Sequence, residues 1–241
     1  MPLPNITTPT YELVLPSNDK KIKFRPFLVK EEKILIIALE SKDTDQITNA
    51  VKDVISNCIL TKGIKVEELP IFDIEYLFLN IRSKAIGESI ELIVTCGDDG
   101  VTKVPVTVYV DEIKVEKPKD HTNKIQIDGG YTVQLKYPSL DQFIGSNFEI
   151  SKKSSESLDK SLKLVSKCID MVYNEDDCWA ASDCTEKELV EWIEKLSPKD
   201  YKKIEKFFKT MPKLSHKITV INPETKVENP IVLEGLSDFF A

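Results

Sequence analysis

Two histidines are the natural candidates for a general base, because histidine most often activates a serine or cysteine nucleophile. His121 lies in a charged connector, and His216 lies at the start of a predicted strand. The chain contains no Gly-x-Ser-x-Gly turn that would expose a serine. We therefore predict no catalytic residues, and we expect both histidines to lie on the surface.

The cysteines have neither the spacing of a zinc site nor that of a disulfide framework. A structural zinc needs about four ligands, usually from closely spaced pairs, and Cys178 and Cys184 are too far apart for the common pair. The chain has only eight glycines and contains no Gly-x-Gly-x-x-Gly or Walker-type motif, which would hold the phosphates of a nucleotide. We therefore predict no bound cofactor. We predict no metal and expect reduced, mostly buried thiols at Cys58, Cys96, Cys168, Cys178 and Cys184.

Two pairs of carboxylates, Asp98-Asp99 and Asp176-Asp177, are the remaining groups that could do chemistry. Adjacent acids do not define a glycosidase site, because the two carboxylates must face one substrate across several ångströms. The segment 174–179 lacks the central glycine of a calcium loop. Exposed acidic loops are the favoured interpretation, and a small carboxylate-dependent hydrolase or transferase is the weaker alternative.

Composition describes an ordinary protein with a substantial core. The chain has 241 residues, 41% of them hydrophobic and 30% charged, enough for one large domain or two small ones. A net charge of −7 argues against a nucleic-acid partner, which normally requires a clustered basic face. No segment has the form of a signal peptide or a membrane span, so we expect no membrane span and a cytoplasmic protein.

The first half of the sequence predicts short hairpins and helices. Strand-forming residues at Tyr11 to Leu15 and Lys21 to Phe27 flank a turn, and two amphipathic helices follow at Lys30 to Leu39 and Asp45 to Leu60. Two more hairpins are predicted around the turns Gly97-Asp-Asp-Gly100 and Gly129-Gly130.

The second half predicts helices and then a last hairpin. One apolar stripe at helical spacing is formed by Leu158, Leu162, Val165, Ile169 and Val172. Further helices follow a capping box that starts at Thr185 and the Ser197-Pro198 start. These helices are expected to form one small bundle, before a hairpin over 216–233 that turns at 222–226.

A central apolar helix over 70–86 is the element around which the first half is organised. Pro70 stands at its start and Gly87 just past its end, positions that favour these residues. Most of its circumference is apolar, which is typical of a helix in a core or at an interface. The main stripe consists of Ile74, Leu77, Phe78, Ile81 and Ala85.

The string Phe72-Asp-Ile-Glu-Tyr-Leu-Phe-Leu-Asn-Ile-Arg-Ser-Lys-Ala-Ile-Gly-Glu88, with Leu233-Glu-Gly-Leu-Ser-Asp-Phe-Phe240 at the end, resembles the baseplate hub assembly proteins of T-even-type bacteriophages. The resemblance implies a protein without enzymatic activity whose partners are other baseplate hub proteins and the tape-measure protein. Many such relatives carry Cys-x-x-Cys pairs at the two hairpin turns, whereas this chain has only Cys96 at the first. That departure agrees with the prediction of no metal.

The predicted contact residues lie on the central helix and at the aromatic end of the chain. Aromatic side chains anchor many interfaces, and terminal residues tend to fray unless something holds them. The terminal pair either folds back on the core or anchors in a partner's pocket. The candidates are Phe72, Tyr76, Phe78, Arg82, Phe239 and Phe240.

Taken together, the sequence predicts an α+β fold of short antiparallel β-hairpins packed with a central apolar helix, plus an inserted helical bundle. The expected domains are 1–138, a bundle at 139–213, and 214–241 returning to the first domain. The function that the resemblance implies is a non-enzymatic phage tail baseplate hub assembly protein, either a chaperone or a hub subunit, which acts through protein-protein contacts in the host cytoplasm. The alternative is a subunit retained in the virion baseplate.

Overall fold

The computed structural model describes residues 6–140, 142 and 155–239. In chain order, the strands and helices are β1 (Tyr11–Val14), β2 (Lys21–Phe24), α1 (Val29–Ser41), α2 (Thr44–Cys58), α3 (Ile71–Ile86), β3 (Ser89–Thr95), β4 (Lys103–Tyr109), β5 (Lys114–Glu116), β6 (Lys124–Ile127), β7 (Tyr131–Leu135), α4 (Ser155–Cys168), β8 (Ile169–Tyr173), β9 (Cys178–Ala180), α5 (Glu186–Glu194), α6 (Pro198–Lys209), β10 (Lys213–Ile221), β11 (Glu228–Glu234) and α7 (Gly235–Asp238). All strand pairs are antiparallel, and the mixed α+β class is confirmed.

The chain divides into two compact units. The first unit comprises Met1–Glu116 and Lys213–Ala241, and the second unit comprises Lys117–Pro212. Compactness alone does not show that a segment folds by itself, so the predicted domains 1–138, 139–213 and 214–241 stay a prediction.

The core of the first unit contains both long hairpins and the central helix. In the hairpin β3–β4, Ile93 pairs with Pro105, and in the hairpin β10–β11, Thr219 pairs with Pro230. The inward side chains of both hairpins share one cluster with α3, which lies between Pro70 and Gly87. The buried members of this cluster are Leu79, Ile90, Leu92, Val94, Cys96, Val108, Val110, Ile113, Leu214, Val220, Leu233 and Phe239.

Helix α1 departs from the amphipathic pattern expected for it. Only Glu31 and Ala38 are buried, on the side that packs against α2. The buried Glu31 carboxylate pairs with the Arg25 guanidinium (Nη2 to Oε1, 2.9 Å) and accepts the Leu28 N–H (2.8 Å). The other side of the helix leaves several large aliphatic side chains exposed.

The second unit consists of a four-stranded sheet, β6–β7–β8–β9, packed against three helices. The helical stripe predicted through Ile169 and Val172 is wrong at its end, because α4 stops at Cys168 and β8 begins at once. Val172 pairs with Val133 of β7, so its side chain lies on the inward face of the sheet. The side chain of Leu158 lies outside the described residues.

The separate helical bundle predicted for 139–213 is not confirmed. Over the described part of that segment, α4, α5 and α6 bury their apolar sides against the sheet and one another. The buried members of this core are Ile125, Ile127, Val133, Leu135, Leu162, Leu164, Val165, Cys168, Ile169, Val172, Ile193, Ile204, Phe207, Phe208 and Met211.

Candidate protein-contact surface

The turns of the two long hairpins are joined by a polar network, although they are far apart in the sequence. The fully buried Asn222 amide donates from Nδ2 to Asp98 Oδ1 (3.0 Å) and to Asp99 Oδ2 (2.9 Å). The Thr225 hydroxyl also donates to Asp98 Oδ2. In return, the Asp98 N–H donates to Asn229 Oδ1 (2.9 Å). We call Asp98, Asp99, Asn222, Thr225 and Asn229 the hairpin clasp.

The local backbone of each turn holds the clasp residues in place. Gly100 N–H donates to the Cys96 carbonyl (3.0 Å), and Lys226 N–H donates to the Asn222 carbonyl (2.9 Å). Both donors have positive φ, 70° at Gly100 and 63° at Lys226, the conformation that a tight hairpin turn requires. Asn222 Oδ1 accepts the Glu224 N–H (2.9 Å), which fixes the amide so that its nitrogen faces the carboxylates.

The two clasp carboxylates are held in their ionised form. The Asn222 amide lowers the pKa of Asp98, and the Thr102 hydroxyl lowers the pKa of Asp99. A general acid needs a pKa raised toward the working pH, so this pair is suited to accepting hydrogen bonds and not to donating protons. Asp176 and Asp177, the other pair, are exposed in a loop of the second unit.

Exposed apolar side chains occur in the two turns and in the strands that lead to them. Val101 and Val227 follow the turn glycine and lysine, Ile221 ends β10, and Ile93 lies two residues before the end of β3; their exposed fractions are between 47% and 76%. We call these four residues the hairpin-tip surface. Because the clasp joins the two turns, it fixes the turns that carry Val101 and Val227 relative to each other. Exposed apolar groups held in a fixed arrangement favour contact with another protein.

The predicted contact residues on α3 and at the chain end lie mainly inside the first unit. Phe72, Phe78 and Phe239 are buried, and Tyr76 is partly buried against the hairpin core. Arg82 is half-buried, and burial lowers the pKa of its guanidinium. Phe240 lies outside the described residues. Their contact with a partner stays a prediction.

Sequence reasoning missed the hairpin-tip surface, although one local signal was present. Val101 directly follows Gly100, and Val227 directly follows Lys226, so each turn ends with a valine instead of a polar residue. Turns are usually polar, and an apolar residue there favours burial against something else. Which strands meet at these turns depends on tertiary structure.

The prediction that both histidines lie on the surface is wrong. His121 packs against Tyr137 (5.6 Å between ring centroids) and Phe207 (5.1 Å), and these two rings also contact each other (5.5 Å). Its Nδ1 contacts Thr210 Oγ1 (3.0 Å), and its Nε2 contacts the Tyr137 hydroxyl (2.9 Å). The Thr210 hydroxyl donates to the Lys206 carbonyl (2.8 Å), so its oxygen accepts from Nδ1–H and Nε2 accepts from Tyr137. His216 is also largely buried, with 14% of its side chain exposed.

Burial lowers the pKa of His121. Burial also determines the protonation state of the thiols. Cys58, Cys96 and Cys168 are buried, Cys184 is half-buried and Cys178 is exposed, so the expectation of mostly buried thiols is confirmed. Burial raises the pKa of Cys58 to about 11 and that of Cys168 to about 12, which leaves both protonated and unreactive at neutral pH.

The described residues contain neither a cluster of metal ligands nor a helix that could span a membrane. No group of three or more histidine, cysteine, aspartate or glutamate side chains in 6–140, 142 and 155–239 could hold a metal ion. Among the helices of that part of the chain, none is both long and apolar enough to cross a membrane.

In the first unit, the clasp carboxylates are hydrogen-bond acceptors, and most of the large exposed apolar side chains are aliphatic. Comparison with known families identifies the class. A model of the family described as T4 bacteriophage base plate protein matches residues 8–241, so the chain belongs to that family. The resemblance to phage baseplate proteins is thereby confirmed at the level of the baseplate. No curated protein and no solved structure matched the chain.

Proposed function

We propose that this protein assembles the central hub of a phage tail baseplate through non-covalent contacts with other baseplate hub proteins and the tape-measure protein. Membership of the baseplate family supports the baseplate as the structure in which the protein acts. The hub is proposed from the resemblance of the segments 72–88 and 233–240. The protein acts in the host cytoplasm while the baseplate is built.

The hairpin-tip surface is the observation that carries this proposal. Each Å² of apolar surface removed from water contributes about 25 cal/mol, so covering four branched aliphatic groups favours association. The clasp links Asn222 to both aspartates through bonds of 2.9 to 3.2 Å, which holds the turns together before any partner arrives. A surface ordered in advance loses little conformational entropy when it binds.

The predicted residues of the central helix and the chain end remain part of the proposal. Phe72, Phe78 and Phe239 are buried, and Phe239 belongs to the hairpin core, so Phe239 would support the contact surface from inside. Tyr76 and Arg82 keep exposed atoms that a partner could touch directly.

The protein either leaves the finished hub as a chaperone or stays as a structural subunit. Both roles use the same contacts, and they differ in whether the protein persists in the particle. Mass spectrometry of purified virions decides between them. A copy number per particle that matches the symmetry of the baseplate supports the subunit, and absence supports the chaperone.

Co-expression with each hub protein and the tape-measure protein, followed by affinity purification, tests the proposal. Val227→Asp should reduce co-purification at least tenfold, because it places a charge within the contact. Val232→Asp is the matched control, since the exposed fractions are 47% for Val227 and 48% for Val232 but Val232 lies in β11 away from the turn. Equal losses for both variants, or a wild-type protein that binds none of these partners, would overturn the proposal.

A further inference from the structure

Helix α1 presents one side to its own unit and the opposite side to solvent. Successive residues of an α-helix are turned by about 100°. Glu31 and Ala38, the buried residues, therefore point in nearly the same direction, toward α2. The opposite direction is occupied by the five residues that we call the outer face: Val29, Lys33, Ile36, Ile37 and Glu40.

The aliphatic members of the outer face are unusually open to solvent. The exposed fractions are 79% for Val29, 50% for Ile36 and 55% for Ile37, and the neighbouring Leu39 is also exposed. The side of a helix that faces solvent is normally polar, whereas three of the five residues of the outer face are branched aliphatic. The outer face therefore has the composition of a contact that the isolated chain leaves uncovered.

The charges of the outer face indicate what covers it. Lys33 and Glu40 lie equally far from the midpoint between Ile36 and Ile37, on opposite sides of it along the helix. If a second α1 lies antiparallel across a two-fold axis at this midpoint, Lys33 faces the partner's Glu40 and Ile36 faces the partner's Ile37. A parallel arrangement would instead place Lys33 against the partner's Lys33.

Both charged pairs that this symmetry creates within the outer face are attractive. They are Lys33 with the partner's Glu40, and Glu40 with the partner's Lys33. The centre of the face is aliphatic.

We propose that the outer face of α1 binds the outer face of a second copy, so that two chains form an antiparallel helix pair around Ile36 and Ile37. The aliphatic centre drives association, and the Lys33 and Glu40 pairs set the direction. This proposal is independent of the hub function. The contact is small, because a helix of 13 residues is only about 20 Å long. We therefore expect a dissociation constant in the micromolar range.

Sedimentation velocity of the full chain over the micromolar range tests the proposal. The wild-type protein should shift from monomer to dimer as concentration rises, and Ile36→Lys should remain monomeric throughout. Ile86→Lys is the matched control, since it places the same charge on an exposed isoleucine at the end of α3 in the same unit. Melting temperatures show that each variant is folded.

Charge reversal tests the antiparallel direction. Lys33→Glu and Glu40→Lys should each raise the dissociation constant about tenfold or more, because a two-fold interface turns two attractive pairs repulsive. The double variant Lys33→Glu/Glu40→Lys should restore wild-type affinity. A wild-type monomer at all concentrations overturns the proposal, and so does a double variant no tighter than the singles.

Discussion

The two units use their apolar residues differently. Among the described residues, only Tyr131 and Trp179 of the large exposed apolar side chains belong to the second unit, and the two rings contact each other. The first unit contains all the others, including the outer face of α1 and the hairpin-tip surface. The second unit therefore exposes few large apolar groups, whereas the first unit exposes the groups on which the proposed contacts rest.

The polar interactions of the two units also respond differently to acid. In the first unit the clasp depends on ionised carboxylates, Asp98 and Asp99, whose pKa values are lowered. In the second unit the stacked His121 is held neutral, because burial lowers its pKa. Acid weakens both, but histidine protonates at a higher pH than aspartate, so the second unit should be affected first.

The largest expected effect comes from emptying the core of the second unit. Phe207→Ala should lower the free energy of unfolding of this unit by about 3 to 5 kcal/mol, because it leaves a cavity beside His121 and Phe208. Both tryptophans of the chain, Trp179 and Trp192, lie in the second unit, so their fluorescence reports its unfolding alone.

Circular dichroism, which reports both units, provides the control for this measurement. If the units unfold independently, the fluorescence transition moves to lower denaturant while part of the dichroism transition stays in place. Transitions that move together would show one cooperative fold and would break the comparison between the units.

The next effect comes from the clasp in the first unit. Asn222→Asp replaces the donor amide with a third carboxylate beside Asp98 and Asp99, so it should cost about 2 to 3 kcal/mol. The loss should appear in circular dichroism and leave the tryptophan fluorescence transition unchanged. Asn18→Asp is the matched control, since the exposed Asn18 side chain only accepts the Lys20 N–H and an aspartate would do the same. Equal losses for both variants would remove the clasp as a source of stability.

A smaller effect should follow mild acidification of the second unit. The pKa of His121 is lowered from its ordinary 6.5, so below that value the unfolded chain binds a proton that the folded unit excludes. Stability is therefore fully present above about pH 6.5 and falls as the pH decreases toward the folded pKa, by at most about 1.4 kcal/mol per pH unit.

Denaturant titrations followed by tryptophan fluorescence at a series of pH values check the role of His121. His121→Gln removes the titrating ring, so the dependence between neutral and mildly acidic pH should flatten. If the free energy of unfolding of this variant depends on pH as steeply as that of the wild type, the pH dependence belongs to another group.

Local signals account for the part of the fold that the sequence predicted. The Gly97-Asp-Asp-Gly100 turn requires positive φ at Gly100, and the capping box of Thr185 with Glu188 forms as the spacing indicates. Such signals act within a few residues, so a single sequence shows them.

The errors arose where distant residues decide the structure. Ile169 and Val172 fit a helical stripe, but pairing with β7 makes them a strand. The clasp was not predicted, because Asp98 and Asn222 are 124 residues apart. The sequence predicted an amphipathic helix at Lys30 to Leu39, but which side of α1 stays exposed depends on how it packs against α2.

The smallest effect on stability should come from a substitution in the hairpin-tip surface. This substitution tests whether the exposed apolar side chains serve binding or folding. Val101→Thr changes one methyl group for a hydroxyl at a side chain already open to solvent, so unfolding should change by less than about 0.5 kcal/mol. Binding to the hub partner should nevertheless weaken, because the hydroxyl would lose its water on contact. Isothermal titration calorimetry beside a denaturant titration measures both quantities on one sample. Loss of stability with unchanged binding would make Val101 part of the fold and remove the contrast between the two units at this site.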